Sequence, residues 1–209
     1  MAAPISLRAF FNEEEKEFCE TSYLNFESSE TCCEFTVAQR ADNIIVNARV
    51  HVEYDGLIRV KFCIIPFWNE EWNTYGKEDS TYRLNKLFID IPIKREFSRL
   101  YHYYPNDGGS TIVLFTNDIP SGVLPEDGLV VPFKPYTWLG WEDGGLSLCC
   151  ENDKSLELFD KNKAMEYIVE EDRVVLRVHL LDHMPLDWQS RKEMWADATL
   201  PIEFEYGIQ

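Results

Sequence analysis

Glu142 and Asp143 sit on a turn between two apolar runs, and Glu151 and Asp153 follow where the second run ends. Two carboxylates about 5 to 9.5 Å apart, one on each side of a glycosidic bond, can hydrolyse it. A hairpin can hold such a pair. Acids beside Gly144-Gly145 are equally well explained as solvated turn formers. Among 37 acidic residues, close neighbours also arise by chance. None of these acids is therefore assigned a catalytic role.

The same stretch, Pro135 to Asp153, carries two tryptophans. An indole face can cover the apolar face of a pyranose ring while acids and amides take the hydroxyls. Trp138 and Trp141 are three apart and point to opposite sides of an extended strand. Trp138 reads as core. Trp141, with Glu142 and Asp143, suits a carbohydrate contact, a domain interface or plain surface packing. Trp68 and Trp72, interleaved with Asn69, Glu70 and Glu71, form a second sugar-platform candidate.

Other chemistries find little support. The four histidines do not cluster, and His51 and His179 read as outward-facing. No Gly-x-Ser-x-Gly elbow offers a nucleophile. No Gly-rich loop opens a helix to cradle phosphate, so no nucleotide cofactor is expected. The six cysteines include the adjacent pairs Cys32-Cys33 and Cys149-Cys150 and no CxxC. That spacing argues against zinc. They read as free small hydrophobes, one of each pair inward. No spaced Asp/Asn/Gly calcium loop occurs, and no metal is expected.

With 209 residues the chain suits one large all-β domain with a sizeable core. A net charge of -17 repels phosphate backbones and anionic lipid. Nucleic acid and membrane surfaces are accordingly not expected partners. There is no signal-peptide pattern and no apolar run that spans a bilayer, and the compartment stays open.

Period-two alternation dominates. Ile44, Val46, Ala48, Val50 and Val52 share one face. Asp55-Gly56 then predicts a type I′ hairpin, and Ile58, Val60, Phe62 and Ile64 return. Further strands are expected at Leu87–Ile93, with Pro92 marking an edge or an end. Others are expected over 111–116, on both sides of the Trp-rich turn, at Met165–Val169, at Val174–Leu181 and from Ile202. Short helical stretches are expected at Asn12–Glu20 and within Lys94–Tyr104; 186–195 is ambiguous. Loops over 69–80, 104–110 and 182–198 are long enough to bind something. The finish at Glu205-Tyr-Gly-Ile-Gln209, without a polar tail, suggests a boundary with more protein beyond it.

Three stretches resemble the N-terminal domain of glycoside hydrolase family 123 and its uncharacterised relatives. They are Glu53–Leu57 with Arg59–Phe62, Leu87–Pro92 with Lys94–Tyr104, and Trp138–Leu146 with Cys150–Lys154. The final Phe204–Gln209 is similar to that family's exit toward its barrel. The resemblance implies a β-sandwich followed by a (β/α)8 barrel. It also implies an activity like that of retaining hexosaminidases, which remove N-acetylgalactosamine with help from the substrate's own acetamido group. The family's Asp-Glu catalytic pair lies in the barrel. A barrel needs about 250 residues, and this chain departs from the family by lacking one. No catalytic residue is carried over.

The expectation is an all-β fold: an antiparallel two-sheet β-sandwich with one or two short helices, a single domain over 1–209. Its role would be a non-catalytic accessory module, inactive alone, that packs on the downstream barrel of the same polypeptide and shapes its cleft. A glycan is the second expected partner. The alternative is a free-standing carbohydrate-binding module.

Overall fold

The computed structural model describes residues 1–11, 13–41, 44–66, 84–104, 121–150, 153, 156–182 and 202–209. In chain order the strands are β1 (Ser6–Phe11), β2 (Glu14–Lys16), β3 (Cys19–Ser28), β4 (Cys32–Ala41), β5 (Ile44–Glu53), β6 (Ile58–Pro66), β7 (Leu84–Lys94) and β8 (Leu100–Tyr103). After them come β9 (Ser121–Val123), β10 (Leu129–Val131), β11 (Tyr136–Trp141), β12 (Gly144–Cys150), β13 (Glu157–Leu158), β14 (Met165–Val169), β15 (Arg173–Asp182) and β16 (Ile202–Ile208). Helix is confined, among the described residues, to single 3-10 turns at Arg95–Phe97 and Lys161–Lys163.

The strands form two antiparallel sheets, the all-β sandwich expected from the alternation. One sheet runs β10-β14-β15-β7-β1-β2, with β13 also on β15. The other runs β3-β4-β5-β6-β16-β12-β11-β8-β9. By contact density the chain divides into two compact units. One comprises Met1–Ser6, Phe88–Leu180 and Tyr206–Gln209; the other comprises Leu7–Leu87 and Leu181–Glu205.

In the first unit the two sheets face each other. Thr137 of β11 hydrogen-bonds Tyr167 of β14, and Tyr101 of β8 packs on the same tyrosine at 6.2 Å. Burial drives the Tyr167 hydroxyl up to about 12. The register of β14 on β15 sets Tyr167 opposite Leu176 and Met165 opposite Val178, so these four share the core face. All four are essentially inaccessible.

In the second unit β5 and β6 pair as the alternation requires, with Val46 opposite Ile64, Ala48 opposite Phe62 and Val50 opposite Val60. The turn between them differs from expectation. Only Gly56 takes a positive φ, at 93°. Its N–H donates to the Glu53 carbonyl at 3.0 Å, and the Leu57 N–H donates to Asp55 Oδ1 at 3.1 Å. The Asp55 side chain thus supports a type I turn closed by a left-handed glycine, and the type I′ turn is not needed.

Several expectations are corrected. The acids after Asn12 form β2 and the start of β3, not a helix; Asn12 itself lies outside the described residues. In Lys94–Tyr104 only one helical turn forms. Leu100–Tyr103 is extended because its aromatics find register partners on β11, with His102 opposite Trp138. Pro92 does not mark an edge strand, since β7 lies inside its sheet. It lies near the end of β7, where its carbonyl accepts from Ala2 N–H at 3.0 Å. The strand expected over 111–116, the ambiguous 186–195 and most of the three long loops lie outside the described residues.

Candidate functional site

The Trp-rich hairpin is built as β11 on β12, with Trp141 opposite Gly144 and Glu142-Asp143 as its turn. At its tip the Trp141 ring packs on Phe97 with centroids 4.6 Å apart and planes inclined by 39°. Phe97 belongs to the single helical turn after β7. Lys94 Nζ stands 6.0 Å from the Phe97 ring centre, a cation–π distance. Arg99 Nη1 donates to Glu142 Oε1 at 3.2 Å, with both side chains largely in water. Asp143 is exposed. The tip is thus an aromatic pair bounded by one solvated ion pair. Glu142 is engaged by a cation in water.

Trp138 departs from expectation. The inward residues of β11 are Thr137 and Leu139, both fully buried. Trp138 is half-buried on the opposite face, beside the cross-strand pair Gly140 and Gly145. Its indole lies over both glycines. A Cβ placed on Gly145 would meet Trp138 ring atoms at 2.5 Å. A Cβ on Gly140 would collide with the same ring and with the Gly144 carbonyl oxygen. An indole thus covers the gap in the sheet that two glycines leave, a known way to support a glycine pair.

Trp68, Trp72, their interleaved acids and Glu151 lie outside the described residues. Asp153 lines a hollow of about 130 Å³ with Pro132, Phe133, Leu158 and Lys161, away from Glu142 and Asp143 in sequence and lining. No group of three or more His, Cys, Asp or Glu side chains among the described residues is placed to hold a metal ion. No described helix is long and apolar enough to cross a membrane.

Sequence reasoning missed one polar cluster. Asp90 and Phe88 on β7 share a face with Arg177 and His179 on β15 and Glu166 on β14. Arg177 Nε and Nη2 donate to the two carboxylate oxygens of Asp90 at 2.7 and 2.8 Å. The Arg177 guanidinium also lies 4.9 Å over the Phe88 ring, and His179 meets that ring edge-on at 4.7 Å. His179 Nε2 is 3.2 Å from Glu166 Oε2. Hydrogen bonding to His179 holds the Glu166 carboxyl below its ordinary range against the opposing pull of burial. His179 is 6% exposed, where alternation along β15 places it outward. The outer face of this sheet is itself covered here, so period two alone misassigns it. Within this cluster Arg177 and Asp90 form a bidentate ion pair shielded from water. Its signal was the Arg-x-His spacing opposite a lone Asp in an apolar run, legible only once the register is known.

The cysteines behave as small side chains. All six are free thiols. Of the second adjacent pair, Cys150 is buried with its thiol pushed up to about 12, and Cys149 is exposed. Cys32 and Cys33 are both half-buried.

No protein-family model matches this chain, and no curated protein matches it.

Proposed function

We propose that this chain is the non-catalytic N-terminal accessory module of a glycoside hydrolase of the N-acetylhexosaminidase type. It docks against a (β/α)8 barrel and does not itself cleave sugar. One observation carries the reading: the contrast between the two faces of the β3–β6 sheet.

One face is charged. Arg49 bonds Glu34, His51 lies between Glu34 and Glu53, and Arg59 bonds Glu205. The other face is mainly apolar, interrupted by Gln39, whose amide donates to Thr21 Oγ1 at 3.0 Å. It begins buried at Ala41, Ile44 and Ile64 and passes through half-buried Phe35, Val37 and Val50. It ends in the open at β3, where Tyr23, which pairs with Val37, is 73% exposed. Phe26, stacked on Phe35 at 6.4 Å, is 69% exposed. A mainly apolar face that runs out into water, with a salt-bridged face behind it, marks an interaction surface. Backbone pairing of β3 with another strand is opposed by its two register breaks and by left-handed Glu20 and Asn25. The partner therefore covers the face and does not extend the sheet, which suits the outer surface of a barrel. The hairpin tip with Trp141, Glu142 and Asp143 would border the barrel's cleft.

The test is hydroxyl-radical footprinting of the chain alone and joined to its barrel. Protection of Tyr23 and Phe26 in the joined form is expected, and equal oxidation in both forms would remove the docking reading. Separately, the purified chain is expected to release no nitrophenol from an aryl N-acetylgalactosaminide.

The second reading, a free-standing carbohydrate-binding module, is favoured by a different observation: the outward aromatic face of β11.

A further inference from the structure

We infer that the outer face of β8, β11 and β12 is a binding platform for a neutral pyranose, with Trp138 as its floor. The inference does not rest on the accessory-module reading or on any barrel. It moves the sugar contact away from Trp141, whose ring is already engaged by Phe97.

Four observations converge on this face. First, the Trp138 indole is backed by Gly140 and Gly145, so one ring face rests on the backbone. Because Thr137 and Leu139 occupy the core side, Trp138 lies on the outer face of the sheet, where it is half-buried. Second, the register places hydrogen-bonding groups at its edges. His102 and Ser147 are the direct cross-strand neighbours of Trp138, and Ser121 lies opposite His102. Third, these groups are already oriented. The Tyr136 hydroxyl and Ser147 Oγ share a hydrogen bond at 3.1 Å, and the His102 ring meets Tyr136 edge-on at 6.1 Å. Fourth, none of Tyr136, Trp138, His102, Ser121 and Ser147 is a permanent charge, within a chain of net charge -17. That field disfavours anionic ligands such as uronates, sulfated sugars or phosphates.

A flat apolar ring edged by fixed neutral donors and acceptors matches one chemical class. A pyranose with equatorial hydroxyls shows axial C–H groups on its faces and hydroxyls around its rim. The C–H face would cover the indole, and the rim hydroxyls would meet His102, Ser147 and Ser121. The two glycines have a purpose in this arrangement: any side chain at Gly140 or Gly145 would lift the indole off the sheet. An indole held flat in advance loses little freedom on binding.

The test uses cellohexaose, whose β-linked units are all-equatorial, titrated into the chain labelled at its tryptophan indole nitrogens. The Trp138 indole signal is identified by its absence in Trp138→Phe. It is expected to shift on titration while the Trp141 signal, identified with Trp141→Phe, stays still. Trp138→Phe keeps a ring over the glycines and is expected to weaken binding about tenfold, with Trp141→Phe binding like the parent. His102→Ala, a surface change, gives a second reading of the same site and is expected to weaken binding without altering the unfolding temperature. Shifts confined to Trp141, or no shift of the Trp138 signal at saturating sugar, would overturn the inference. Neither result bears on whether Tyr23 and Phe26 become protected by a barrel, so the two readings fail separately.

Discussion

Gly140 and Gly145 occupy opposite positions of the β11–β12 hairpin, and the indole of Trp138 fills the space their missing side chains leave. An added methyl at Gly140 meets backbone as well as ring, so it cannot be relieved by a side-chain movement alone. Gly140→Ala is expected to lower unfolding stability by about 2 kcal/mol, the usual scale for overpacking, read as a lower urea midpoint. Asp90 presents a second case. Its removal leaves the Arg177 guanidinium, only 18% exposed, without its bidentate partner. Asp90→Ala is expected to cost about 3 kcal/mol, because a nearly buried charge then stands uncompensated. Glu166 contributes to the pH response. Its carboxyl is held below the ordinary 4.5, chiefly by hydrogen bonding to His179. A depressed folded-state pKa contributes stability above the unfolded value and loses it as pH falls through the folded value. Stability is therefore expected to drop below about pH 4.5, and Glu166→Gln is expected to flatten that part of the profile in chemical unfolding. These residues also show where reading the sequence stops. The turn at Glu142-Asp143 and the opposed Trp138 and Trp141 were legible from spacing, whereas Gly144 and Gly145 belong to β12 and not to the turn. The inward assignment of Trp138 was not, because which face of β11 meets the core depends on β14, some thirty residues later in the chain.

Strands were the most legible elements, and for a physical reason. Where one face is buried and the other wet, side-chain period two is written directly into the residues, as in β5, β6 and β16. Phe204 and Tyr206 are buried and alternate with Glu205, as the sequence requires. The pattern failed where both faces are covered. In β7 every residue from Leu87 to Ile93 is buried, so Asp90 and Pro92 carried misleading signals of exposure and edge. It failed again in Leu100–Tyr103, where aromatic spacing fits a helical stripe and a strand equally well. Tertiary pairing with β11 decides the outcome. The edge strand β3 yields a prediction of its own. Tyr23 and Phe26 are mostly in water, so Tyr23→Ser with Phe26→Ser is expected to leave stability within about 0.5 kcal/mol of the parent. The same pair of changes is expected to weaken association with a barrel, seen by sedimentation of the two parts mixed. Unchanged association would remove β3 from the docking face.

The whole molecule is an all-β chain in two antiparallel sheets whose described acids are solvated, paired with cations or engaged in structure. The acidity is -17 overall, and no group of three or more His, Cys, Asp or Glu among the described residues is placed to hold a metal ion. Its surface carries an apolar sheet face that ends in the open at Tyr23 and Phe26, and a half-buried Trp138 on the outer face of β11. The most direct measurement is the reading frame of the gene across the codon for Gln209. The account predicts that it continues without a stop into about 250 residues of alternating strand and helix, with an adjacent Asp-Glu pair at the end of a barrel strand. A stop codon immediately after Gln209, with no barrel encoded in frame, would contradict it.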